Sequence, residues 1–178
     1  MIKIIFALLS FYTIGFSYTK SKIVSDYKGQ NYKKVCIYGT VANIKDEAIL
    51  SLIANACLKI DSINPLGTII KKMVSTPKYR ENASYFSTIV LQKKLIYQFM
   101  NDDIDLSNLR LPRTSHLLSI VFENLVKKNY KIIDKKIDKI KIVLKNRTYI
   151  LWRSNSKPVK IYVDEYKNGV LLKHHWYL

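Results

Sequence analysis

The chain has 178 residues, 48% of them apolar and 12% aromatic, which is enough for a buried core and excludes a disordered protein. Its formal charge of +17 comes from 30 basic residues against 13 acidic ones, so anionic surfaces and acidic partners are its natural contacts. Only Arg80, Arg110, Arg113, Arg147 and Arg153 are arginine, and that weighs against the bidentate phosphate and base contacts of sequence-reading nucleic-acid binders.

Met1-Ile2-Lys3 opens an uncharged, apolar run from Ile4 to Phe16, followed by small residues at Gly15 and Ser17. This is the layout of a secretory signal over residues 1–17, with cleavage leaving Tyr18 first. The run is short of the roughly 20 residues that a spanning helix needs. The expected destination is the periplasm or the extracellular space, where nucleic acid is not an expected partner. Residues 18–30 are polar and without a period, and read as a flexible segment. Cys36 and Cys57, the only cysteines, are expected to pair in an oxidising compartment. They lack the ligand spacing of zinc motifs, so no metal site or cofactor is expected.

Residues 31–129 read as mainly helical, with about four helices in an antiparallel array. "NIKDEAILSLIANACLKID" begins at a cap, Asn43 or Asp46, and carries Ile49, Ile53, Ala56, Cys57 and Ile60 on one face. Asn64-Pro65 opens a short helix to Val74. Thr76-Pro77 opens the longest, to about Met100, with a stripe through Tyr79, Ala83, Phe86, Ile89, Val90 and Ile96. After the apolar pins of "DIDLSNLRLP", Thr114 or Ser115 caps a helix to about Lys128.

Residues 130–178 read as an antiparallel meander of three or four strands, which makes the fold class α+β. "KKNYKIIDKKIDKIKIVLK" (127–145) has eight lysines. Its first part fits helix or strand, with a break near Asp134. Its second part alternates, Ile140, Ile142 and Leu144 inward, Lys139, Lys141 and Lys145 outward as a candidate basic surface. A corner at Lys145-Asn146 leads to "RTYILWR". Asn168-Gly169 signals a hairpin in which Asp164 faces Lys173 and Ile161 faces Trp176. That register puts Ile161, Val163, Leu172 and Trp176 on the buried face. Tyr162, Tyr166, Lys173, His175 and Tyr177 fall on the other face, a candidate surface for a protein partner.

No phosphate loop, nucleophile elbow, metalloprotease or redox motif is present. The leading expectation is a non-catalytic envelope or periplasmic factor that binds or helps assemble another protein, with no small-molecule substrate evident. The alternative is a secreted basic, ribonuclease-like hydrolase using His116 with His174 or His175. Those two alternate along a strand, so only one can share a cleft with His116, and a shared cleft favours the enzyme. A third class is an effector for anionic lipid or polymer.

Overall fold

Capping residues set the helix starts. In the computed structural model, which describes residues 18–136 and 138–178, six helices precede five strands among the described residues. The signal read at residues 1–17 lies outside them. The class is α+β, and the two helices beyond the expected four are α1 (Lys20–Lys28) and α2 (Tyr32–Val41). Thr19 caps α1 by accepting from the Lys22 amide, and Ile23 is its one fully buried apolar side chain. One anchor gives no visible period, which is why residues 18–30 looked irregular. α2 lies against α3 (Glu47–Lys59), which starts at Asp46, whose carboxylate accepts from the amides of Ala48 and Ile49.

Cys36 of α2 and Cys57 of α3 form a disulfide with their Cα atoms 4.9 Å apart. Three residues on from Cys36, Gly39 meets the side chain of Ile53, and a Cβ there would sit 2.7 Å from it. The bridge and the missing side chain together set how closely the two helices approach. α4 (Leu66–Ile70) is a single turn. α5 (Pro77–Asp102) starts where Thr76-Pro77 predicts, with Thr76 Oγ1 accepting from the Tyr79 amide. α6 (Leu117–Val126) buries Leu118, Val121, Phe122 and Leu125.

The strands β1 (Lys131–Asp134), β2 (Lys139–Val143), β3 (Arg147–Arg153), β4 (Ile161–Lys167) and β5 (Val170–Tyr177) pair in chain order as one antiparallel sheet. β1, beside the break at Asp134, is the strand beyond the expected four. The alternation in β2 is as read, with Ile140 and Ile142 buried and Lys139 and Lys141 on the opposite face. One face of the sheet shares the helical core through Ile140, Ile142, Tyr149, Leu151, Ile161 and Val163.

The β4–β5 hairpin turns at Asn168-Gly169, with φ of 50° and 82°, and Lys167 faces Val170 as predicted. Beyond Tyr166 opposite Leu171 the register shifts by one, and Leu172 is the extra residue of a β-bulge. Glu165 therefore faces Lys173, Asp164 faces His174, Val163 faces His175 and Ile161 faces Tyr177. A one-residue slip exchanges the faces of a strand. His175 and Tyr177 are buried, whereas Leu172 and Trp176, expected inside, are 51% and 40% exposed.

Replacing both bridged cysteines by alanine should lower stability by roughly 3 kcal/mol, the value for closing a loop of this length. Urea unfolding of the oxidised and double-alanine chains measures the difference; equal midpoints would mean that the bridge constrains nothing.

Candidate functional site

The bulge decides what the hairpin presents to the helices. With His175 and Tyr177 inward, β5 meets the C-terminal end of α3. That end closes with the Ser62 amide on the Cys57 carbonyl and the Asp61 amide on the Leu58 carbonyl. Asp61 takes the left-handed conformation, φ 61°, at the position where glycine usually ends a helix. A non-glycine residue costs about 1 kcal/mol there. The cost is offset by what the Asp61 side chain reaches.

Asp61 is buried, and its carboxylate has three partners from β5. His175 Nδ1 lies 2.8 Å from Oδ1, the Tyr177 hydroxyl donates to the same oxygen at 3.3 Å, and Lys173 Nζ lies 3.1 Å from Oδ2. Lys173 also donates to the Lys59 carbonyl at 3.2 Å, satisfying a free group at the end of α3. Burial pushes the Asp61 carboxyl up, but the hydrogen bond and charge of His175, and then Lys173, outweigh it and hold the group below its ordinary value. The same burial and the neighbouring carboxylate hold the Tyr177 hydroxyl protonated well above its ordinary range.

A carboxylate only accepts, so Nδ1 of His175 carries the proton that bonds Asp61. Nε2 then points away from Asp61, buried and without a hydrogen-bond partner. Its nearest acidic atom, Glu165 Oε2, is 3.8 Å away, too far for a bond, and Glu165 is instead paired with Arg147. The His175 side chain lines a cleft of about 430 Å³ between α3, α5, the start of α6 and the sheet, with Nε2 itself buried in the cleft wall.

His116 lines the same cleft. It caps α6, with Nδ1 accepting from the Leu118 amide at 3.2 Å. The loop before it is held because the Thr114 amide and hydroxyl both bond Ser119 Oγ, which donates to the buried Gln92 of α5 at 2.8 Å. The cap fixes the neutral tautomer with the proton on Nε2. Burial pushes the His116 pKa down to about 4, against the attraction of Asp61 and helped by the charges of His175 and Lys173. Lys59, Arg147, Tyr85 and Ser115 complete the walls, with Tyr85 and Ser115 hydroxyls 3.1 Å apart.

Of the residues read as one partner surface, Lys173, His175 and Tyr177 turn inward to Asp61, while Tyr162 and Tyr166 stay on the other face. The bulge divides the set. His174 is also on that other face, bonded to Asp164 at 2.6 Å, so His175 is the histidine that joins His116. Lys139 and Lys141 share the outer face, and Lys145 sits in the β2–β3 turn. Asp61, Glu165 and Arg147 were not anticipated. The one sequence signal for Asp61 was an aspartate standing just past the last apolar position of a helix. Comparison with protein-family models, with curated proteins and with solved structures finds no match for the chain.

The depressed His116 value makes stability depend on pH. An unfolded imidazole binds its proton near 6.5 and the folded one only near 4, so this contribution is full above about 6.5 and is lost as pH falls towards 4. His116→Asn keeps a capping oxygen and removes the titration. Urea midpoints of the wild type should fall across that window, and those of the variant should fall less; parallel curves would show His116 titrating normally. The depressed Asp61 group adds a further loss below the ordinary carboxylate range, which Asp61→Asn should remove.

Proposed function

We propose that this chain is an exported acid–base hydrolase of the ribonuclease-like type, with His175 as its general base. The observation that carries this is the pairing of two histidines in one cleft, one oriented by a buried carboxylate and left with its Nε2 unbonded. Export is supported by the N-terminal pattern and by a disulfide compatible with an oxidising compartment. Among the described residues, no helix is long and apolar enough to cross a membrane.

No protein hydroxyl bonds His175 Nε2, so the nucleophile is the substrate's own or water. In a ribonucleic acid phosphodiester it is the 2′-hydroxyl. His175 Nε2 takes that proton, the oxygen attacks phosphorus, and the bond from phosphorus to the 5′-oxygen breaks. The leaving oxygen takes a proton from the Lys173 ammonium, and the His175 imidazolium then returns one to the amine. Neutral His116 is a poor proton donor outright, but its Nε2–H hydrogen-bonds a phosphoryl oxygen as charge develops. Lys59, Arg147 and Lys173 outnumber Asp61 and Glu165 in the cleft, which suits a monoanionic diester.

A purely structural ion pair is the competing account of Asp61 and His175. A strut between two carboxylates would close a hydrogen bond at both ring nitrogens, whereas here Glu165 is within ion-pair range of Nε2 at 3.8 Å but makes no hydrogen bond to it.

Incubating the oxidised chain from Tyr18 onward with a ribodinucleoside monophosphate tests the reading. His175→Ala should lose about 10²–10⁴-fold in rate, the usual worth of a general base. His116→Asn should lower kcat more than it raises KM. No cleavage by the wild type between pH 4 and 9, or equal cleavage by His175→Ala, would refute the assignment.

A second reading, a factor binding a protein partner in the envelope, is favoured by the hairpin tip. Val170, Leu171 and Leu172 of the edge strand β5 are 65%, 50% and 51% exposed. Such an edge is open to pairing with another chain. Crosslinking in the native envelope should capture a partner with the wild type and lose it with Leu171→Lys and Leu172→Lys; capture unchanged by the lysines would exclude this edge.

A further inference from the structure

The face of the sheet turned away from the helical core is neither plain nor polar. Registers across the strands align Lys139, Trp152, Tyr162 and Trp176 in one row, and Lys131, Lys141, Ile150, Asp164 and His174 in the next. A wet sheet face ordinarily carries polar side chains. Two tryptophans and two tyrosines in its place mark an interaction surface.

The rings form a cluster. Lys139 Nζ lies 5.2 Å from the Trp152 centroid, Trp152 stacks on Tyr162 at 5.3 Å and 21°, and Tyr162 stacks on His174 at 5.2 Å and 24°. Trp152 and His174 are themselves 5.6 Å apart at 41°, so the three rings close on one another, and the His174 side chain is 47% exposed. Trp176, beside it on β5, has Lys160 over its ring at 4.7 Å. The charges on this face are Lys131, Lys139, Lys141 and Lys160 against Asp134, which accepts from the Lys136 amide, and Asp164, which is bonded to His174.

We infer that this outer face is a docking track for single-stranded nucleic acid, which passes over the edge strand β5 into the His116–His175 cleft. The inference rests on the hydrolase reading for its substrate. Stacking rings beside backbone cations are the means by which unpaired strands are held without regard to sequence. The scarcity of arginine, which weighs against base reading, is no obstacle to that mode. Strands spaced about 4.8 Å apart give a track of roughly 20 Å, enough for a few nucleotides. The connection to the cleft is built into β5, where His174 and Trp176 face out and Lys173, His175 and Tyr177 face in.

The probe is a 2′-O-methyl oligouridylate of about 12 nucleotides, within the usual range of strand-binding sites and lacking the attacking hydroxyl. Binding is followed by fluorescence anisotropy at low salt. His174→Ala with Trp176→Ala should weaken it at least about tenfold. Lys139→Glu with Lys141→Glu, a surface change that spares the rings, should weaken it and flatten its salt dependence. No binding at low salt would overturn the proposal. So would binding that survives ring removal and is displaced equally well, charge for charge, by dextran sulfate, the signature of an acidic polysaccharide surface. Cleavage of a dinucleotide does not need the track, so failure here leaves the hydrolase reading to its own test.

Discussion

The bond between Asp61 and His175 joins residues 114 positions apart and couples the helical layer to the sheet at the point where both end. On one side it depends on a helix that closes with an aspartate in the left-handed region. On the other it depends on a bulge that turns His175 inward. Without the bulge, His175 would face solvent and Leu172 and Trp176 would compete for the interior. Without the left-handed turn, the carboxylate would not reach the strand.

Electrostatics explain why such a costly arrangement holds. A carboxylate removed from water is strongly disfavoured unless paired and hydrogen-bonded. Asp61 has an imidazole, a phenol and an ammonium, and the ammonium also ends α3 by binding a free carbonyl. The partners come from alternate residues of one strand, the spacing that puts Lys173, His175 and Tyr177 on one face. His116 reaches the cleft by a different route, as a helix cap steadied by Gln92 and Ser119. Both rings are held through Nδ1, that of His175 by the Asp61 carboxylate and that of His116 by the Leu118 amide.

Much of the scaffold was legible because its signals are local. Thr76-Pro77, Asp46 and Asn168-Gly169 each act within a few residues, and the helix starts and the hairpin turn follow them. The alternation of β2 was legible for the same reason. The site was not. A bulge is chosen by what the shifted residues meet in the interior, and nothing near Leu172 announces that His175 will find Asp61. Helices α1 and α2 were missed because their burial rests on Ile23 and on contacts around Cys36 and Gly39, too few for a visible period. The link between His116 and one of the C-terminal histidines was open to sequence as an alternative, but which one depended on the register.

The tautomer of His175, read from its ring ¹⁵N shifts in the oxidised chain at pH 8, tests this account most directly. The account predicts a single protonated nitrogen, Nδ1, with Nε2 unprotonated, and loss of that preference in Asp61→Ala. A ring protonated on both nitrogens at that pH, or protonated on Nε2 alone, would make the Asp61–His175 pair a structural tie and contradict the proposal that His175 is a base.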